Sequence, residues 1–544
     1  MAITKVTSSV LEDNITVAGN LDVSSGTIKL DGNYPVGTQN VGIGDNTLSS
    51  VEAGANYNTA VGNRALQDLT TGDSNTAVGR DALLVATTGF NNTATGMDAL
   101  ASNTTASNNT AIGRSSLRAN TTASNNTAVG YEALTATTTA NDNTAVGAYS
   151  GNSNTTGLAN TSLGSASFLT NSTGSYNTAL GGDALRSSTT ASNNTAVGYN
   201  SLRANTTGSL NVAVGKGALS SNTTAPYNTA IGYQALGSNV TGNQNTAVGY
   251  EALAANTALK NTAVGAYAQY QSTAAQESTA LGYGALAALT TGSYNTAVGA
   301  LALDSNTTGA QNTAIGYAAL ESVTTSTINA ALGQYAGRSI TIGSENTCIG
   351  FSAGGYQNNI TTGSSNTVIG AYARTSSATV SNEINIGRYV LGQGANTATL
   401  GISGNGATIN IDGSDTSWAA HSDERLKNNI TTSTAGLSFI NDLRPVTYTW
   451  KAKNEISEDF VNYYDADSTD PVNGVAGKTY HGFVAQEMKA TIDAHSEVAN
   501  GNNLWAERVD NIQQLAPSNL VPMLVKAIQE LSAQVEELKS QIGE

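Results

Sequence analysis

The chain has 544 residues, of which only 11% are charged, with 57 Gly, 6 Pro and a net charge of −16. Length alone would divide it into about three or four globular domains, but Ser, Thr and Asn crowd the first four hundred positions, which points to a repetitive chain. The acidic balance and the absence of any basic run exclude a nucleic-acid backbone or an anionic membrane surface as its main partner.

The first segment, residues 1–39, lacks the apolar core of a secretory signal, and nowhere do eighteen apolar residues run together. The chain is therefore expected to be neither exported by that route nor inserted in a membrane. The one cysteine, Cys348, has no internal partner, and His421, His481 and His495 stand without acidic residues at ligand spacing, so no metal and no cofactor is expected.

From residue 40 to 388 the phrase Asn-Thr-Ala-Val-Gly recurs. Its first residue falls at Asn58 and then every 17 residues to Asn245. One step of 16 reaches Asn261, and the 17-residue register resumes through Ser278 to Asn346; Asn40 opens a degenerate copy, and Asn366 and Asn385 open looser ones. Fixed self-similarity on this scale predicts a solenoid. Seventeen residues are too few for two packed helices but suffice for one coil of two or three short strands, with Gly and Asn at the corners.

Stacked coils would place Val61, Val78, Ile112 and Val129 in one inward column and Leu66, Leu100, Leu117 and Leu134 in another. Alternation then turns the repeat alanine outward, and a strand apolar on both sides calls for cover on both, which three copies meeting along their alanine faces would supply. Cys348 falls in the alanine column and reads as a small buried residue. Tyr131, Tyr199, Tyr233, Tyr250, Tyr283 and Tyr317 follow the repeat glycine, and Tyr57, Tyr176, Tyr227 and Tyr294 precede the repeat asparagine. These rings either cover the coil surface or stack on sugars of another surface.

The Asn-Thr-Ala-Val/Ile-Gly-x-x-Ala-Leu phrase resembles the Ala-Ile-Gly repeats in the heads of trimeric autotransporter adhesins, which are left-handed parallel β-rolls in a trimer. That resemblance implies a homotrimeric fibre. The repeat length differs from theirs.

Residues 389–420 read as a β-rich connector. At 421 the text changes: 34 of the first 420 residues are charged, against 28 of the last 124. His-Ser-Asp-Glu-Arg-Leu-Lys opens at His421, Leu-Arg-Pro-Val-Thr-Tyr-Thr-Trp follows from Leu443, and Tyr-His-Gly-Phe-Val-Ala-Gln-Glu from Tyr480. These phrases, in this order, resemble the intramolecular chaperone of phage tail spikes and fibres, the peptidase S74 family. The resemblance implies an α+β chaperone over 421–544 that drives trimerisation of the fibre before it and then cuts the chain once. By position, Ser422 is the nucleophile, Lys427 its base, and the scissile bond joins His421 to Ser422.

Such a pair has a physical requirement: a lysine takes the serine proton only if burial or a nearby cation lowers its pKa. Without the resemblance, Ser422 reads as a helix N-cap and Lys427 as a surface residue. The last stretch, about 520–544, carries Leu524, Ile528, Leu531, Val535, Leu538 and Ile542 at alternating spacings of four and three, a heptad seam following Pro517 and Pro522. A β-branched/Leu seam favours a dimer by itself, whereas the resemblance implies a trimer.

Taken together the resemblances imply a tail fibre or other virion appendage made in the host cytoplasm. Residues 1–39 would hold the attachment protein of the particle, and the shaft would touch a host-surface glycan or protein. A cellular surface adhesin or sheath protein using the same chaperone is the alternative, and an ice-binding solenoid a remoter one.

Overall fold

Each copy of the repeat phrase forms a three-residue strand, and the strands stack in the order in which the chain makes them. The computed structural model describes residues 39–355, 357–403, 405–412, 424, 428–457, 465–473, 475–499, 504–507 and 513–542. The chain divides into two compact units, residues 1–421 and 422–544. The attachment segment expected over 1–39 lies outside the described residues except for Gln39.

In the first unit twenty-one strands, from Val41–Ile43 (β1) to Ile384–Ile386 (β21), pair in parallel, each with the next, as successive coils of one solenoid. Register is kept throughout, as where Thr195-Ala196-Val197 lies against Val212-Ala213-Val214. The 16-residue step leaves it intact, with Thr246 opposite Thr262, and so does the 20-residue step from Asn346, with Thr347 opposite Thr367. The extra or missing residues are absorbed between strands. Strand Thr397–Ile402 (β22) adds to the last coil in parallel and turns back as Asn405–Asn410 (β23) in an antiparallel hairpin.

Each full coil has one strand rather than two or three. Its other sides are held by single backbone bonds between successive coils, such as Leu66 N–H to the Ala82 carbonyl at 3.0 Å and Thr70 N–H to the Thr87 carbonyl at 3.0 Å. They bend through residues with positive φ, including Arg64 at 58° and Leu66 at 51°. A left-handed conformation costs a side-chain-bearing residue about 1–2 kcal/mol, and the fully buried Leu66 side chain returns about that much. Glycine is required at the strand end: Gly62 has φ +128°, and a Cβ there would stand 2.7 Å from the carbonyl of Gly79 in the next coil.

Two expectations about facing are reversed. The repeat alanines, Ala60, Ala77, Ala94 and on to Ala314, are fully buried inside the coil beside the leucine column, whereas Val78 and Ile112 are outside, 37% and 42% exposed. The reason lies two residues upstream. Asn58, expected at a corner, is buried and shares its side of the strand with Ala60, so parity carries alanine inward and valine outward. Cys348 is buried as expected, but within its own coil, between Ala331 and Val368 in the column.

The last full coil also starts two residues before its expected Asn385. Glu383 takes the asparagine slot opposite Asn366, and Asn385 sits in the inward alanine position; both are fully buried.

The second unit contains helices Leu437–Asn441 (α1), Ala485–Ala494 (α2), Ser496–Ala499 (α3) and Val521–Ile542 (α4), with two small antiparallel pairs: Val446–Tyr448 (β24) with Tyr480–Gly482 (β25), and Trp505–Glu507 (β26) with Gln513–Leu515 (β27). Its core gathers Phe439, Met488, Ile492, Val498, Leu504 and Leu520.

Candidate functional site

His421, Ser422 and Lys427, the three residues singled out for self-cleavage, lie outside the described residues, so the site is built from what flanks it. The boundary between the two compact units falls between residues 421 and 422, the two ends of the expected scissile bond.

The phrases that drew attention to the C-terminal unit are brought together. Leu-Arg-Pro-Val-Thr-Tyr supplies β24, and Tyr-His-Gly supplies β25, placing Thr447 opposite His481 and Tyr448 opposite Tyr480. The Tyr448 ring stacks on Tyr480 at 5.9 Å and meets Trp450 edge-on at 5.5 Å. An open cleft of about 530 Å³ lies here, lined by Pro445, His481, Phe483 and Pro517 among others. The rest of the third phrase runs into α2, whose Glu487 receives both arms of the Arg444 fork, with Nε to Oε2 at 2.9 Å.

Sequence reasoning gave His495 no role. Its ring nitrogens lie 2.8 Å from Glu497 and 2.8 Å from Asp442, and these carboxylates, Glu497 foremost, raise its pKa above the ordinary histidine value. The cluster ties the end of α1 to α3. Nothing in the spacing of residues 442, 495 and 497 announces it.

The heptad seam is where the sequence placed it, on α4. Leu524, Ile528, Leu531, Val535, Leu538 and Ile542 are between 41% and 71% exposed, so the seam does not pack on its own unit. The helix is fastened by its other side, where Glu530 accepts the backbone N–H of Leu437 at 2.7 Å and Ala527 is buried.

On the solenoid both expected tyrosine sets are exposed, from 37% at Tyr131 to 61% at Tyr176. A third set went unnoticed: Tyr149, Tyr267, Tyr335, Tyr372 and Tyr389, two residues after the repeat glycine. These interleave with the first set into aromatic ladders, as in the run Tyr317–Tyr335–Phe351–Tyr372–Tyr389 with centroids 4.7–6.2 Å apart. Listing residues at glycine plus two as well as glycine plus one would have found it. Among the described residues no group of three or more His, Cys, Asp or Glu is placed to hold a metal ion, and no helix is long and apolar enough to cross a membrane.

With this geometry in place, the class is a parallel β-solenoid of 17-residue repeats followed by a smaller unit of helices and short sheets. Residues 422–496 of that smaller unit match the family model of the chaperone of endosialidase, Peptidase_S74. No curated protein and no solved structure matches the chain.

Proposed function

We propose that this protein is a homotrimeric fibre of a phage virion, attached through residues 1–39, in contact with a host surface along its shaft, and assembled by a C-terminal chaperone that then cuts itself off before Ser422.

The observation that carries the reading is the outward face of the solenoid strands. Across all twenty-one strands no outward position bears a charge, an amide or an aromatic ring; they are Thr, Val, Ile, Leu and Ala throughout. Leu163, Leu281 and Leu332 on this face are 50%, 45% and 49% exposed. At about 4.8 Å per coil and about 7 Å across, the face measures roughly 700 Å², close to the area one partner contributes to a stable protein interface. An uncharged strip of that size, threonine along one column and aliphatic along the other, on a chain with net charge −16 is a contact surface, and a repeating chain meets its own copies in register. The chaperone family match downstream and the exposed seam on α4 favour the same self-association.

The cut follows from the position of the nucleophile. Lys427 Nζ takes the Ser422 hydroxyl proton, and Oγ adds to the His421 carbonyl carbon next to it in the chain. The C–N bond breaks, the nitrogen of Ser422 receives the proton, and an ester joins His421 to Ser422 Oγ. Water hydrolyses this ester, leaving a carboxylate on His421 and a free amine and hydroxyl on Ser422. Trimer assembly would desolvate Lys427 and time the reaction.

Intact-mass analysis with sedimentation tests the proposal. Wild-type protein should give one fragment ending at His421 and another beginning at Ser422, while Ser422→Ala and Lys427→Ala remain full length and trimeric. A monomeric shaft, or cleavage that persists in Ser422→Ala, overturns it.

A further inference from the structure

Small residues interrupt the columns after the repeat glycine at several coils, but at one coil two columns are interrupted together by Gly and Ala. Counting from the repeat glycine, the second position holds Tyr267, Gly284 and Leu301 in three successive coils, and the fifth holds Tyr270, Ala287 and Asp304. Both columns shrink to Gly or Ala in the same middle coil. The stacking is direct: Gln271 N–H donates to the Ala287 carbonyl and Ala288 N–H to the Asp304 carbonyl, each at 3.0 Å.

The result is a notch of about 580 Å³ lined by Tyr267 and Tyr270 from the first of these coils, Tyr283 from the middle one and Asp304 from the third. Two coils separate Tyr270 from Asp304, about 10 Å at the usual strand spacing. A side chain at Gly284 would begin to fill the space, since a Cβ there would lie 3.1 Å from Leu301 and 3.6 Å from an Asp304 carboxylate oxygen.

We propose that this notch is a carbohydrate-binding site that takes one uncharged pyranose unit between Tyr270 and Asp304. Pyranose rings present C–H faces that pack on tyrosine rings, whose faces are electron-rich, and hydroxyls that need a few placed acceptors and donors. Asp304 supplies the acceptor. In its column the next acid, Glu321, is paired with Arg338, whereas the Asp304 carboxylate has no ion-pair partner among the described residues. Asp304 and Glu321 set two carboxylates along this column, whose oxygens accept hydroxyl donors and whose charge disfavours a second anion. Neutral sugars are thereby favoured over acidic ones. Gln271 and Ser305 in the wall can donate to and accept from further hydroxyls, hydrogen bonds that a quaternary ammonium ion, the other ligand that aromatic rings and a carboxylate suit, has no groups to make. The site deepens the surface-contacting part of the function proposed above, which presents it to a glycan.

Saturation-transfer NMR on the full-length Ser422→Ala protein, with methyl pyranosides of glucose, galactose, mannose and N-acetylglucosamine, tests this, with glucuronic acid and choline as separate arms. At least one neutral pyranoside should receive saturation. Its affinity should fall at least tenfold in Gly284→Gln and in Tyr270→Ala, with melting unchanged. The glutamine is compatible with the backbone, because Gln234 occupies the same position of another coil at φ 53°. No binding of any neutral pyranoside, binding of choline or glucuronate instead, or affinity indifferent to both substitutions overturns the proposal. Sedimentation of the same samples separates the two claims: a trimer that binds nothing removes only the site, and a monomer that binds removes only the fibre.

Discussion

The side-chain oxygen of Asn58 accepts the backbone N–H of Asn75, one coil further on, at 2.9 Å, and the side-chain amide of Asn75 at 3.1 Å. The relation repeats along much of the shaft, as from Asn75 to Asn92 and from Asn92 to Asn109. It gives the solenoid a buried polar spine beside its leucine column, and buried amides of this kind are stabilising only while every member is paired.

Breaking that spine should be costly at a single position. Asn92→Ala removes the acceptor for Asn109 N–H and the donor to the Ala106 carbonyl, leaving buried polar groups unpaired. The expected loss is about 3 kcal/mol, read as a lower denaturant midpoint of the shaft. Asn92→Asp should be worse, because a carboxylate would face the Asn75 oxygen with no cation nearby. Glu383 shows the one setting that accepts an acid: its carboxylate takes N–H groups from Ser376 at 3.0 Å and Gly394 at 2.6 Å where the regular coils end.

Cys348 should be inert. Burial pushes its thiol up to about 12, so almost no thiolate exists at neutral pH and no reagent reaches it. Iodoacetamide should label the folded shaft negligibly and label it fully in denaturant. Fast labelling under native conditions would contradict a coil closed around this residue.

The proposed meeting face of the copies is testable apart from the proposed cut. Ile231 and Leu281 project from the uncharged strand face, 40% and 45% exposed, and contribute little to the interior of their own coils. Ile231→Asp with Leu281→Asp should leave the shaft folded by circular dichroism yet abolish its trimer by sedimentation. Thr207→Asp, at an exposed position outside the strands, should not. A double variant that still sediments as a trimer places the contact elsewhere.

His495 gives the C-terminal unit a pH dependence of definite sign. Its pKa is raised in the folded chain by Glu497 and Asp442, so the protonated form is the one favoured by folding. The contribution is complete below the ordinary histidine value of 6.5 and is lost as pH rises through the folded value. Uncleaved Ser422→Ala protein should therefore melt higher at about pH 6 than at about pH 8 in its C-terminal transition. His495→Gln should flatten that difference; a slope unchanged by the substitution would assign it to other groups.

Much of the architecture was readable before any coordinates. Repeat spacing placed the coils, Gly62 and its equivalents announced the sharp strand ends, and Leu524 to Ile542 drew the seam of α4. What alternation could not decide was its own sign. It puts Ala60 and Val61 on opposite sides of the strand but not which is inside, and with both apolar the deciding residue was Asn58, a polar group that reads as a corner until its ladder is seen. Glu383 hid for the same reason, as an acid in an asparagine slot. The notch was invisible because it consists of missing side chains, Gly284 and Ala287, and missing side chains leave no motif. For Ser422 and Lys427 the warrant remains the order of phrases around them and the family match that begins at residue 422.

Because each strand meets its neighbour in the same register, one unit can be removed and the cut ends rejoined with the strand ladder intact. The gene for such a shaft is a tape measure: recombination between copies would add or subtract a fixed increment of reach, about 4.8 Å each time, while keeping the backbone register. Selection could then set how far the tip stands from its base by counting.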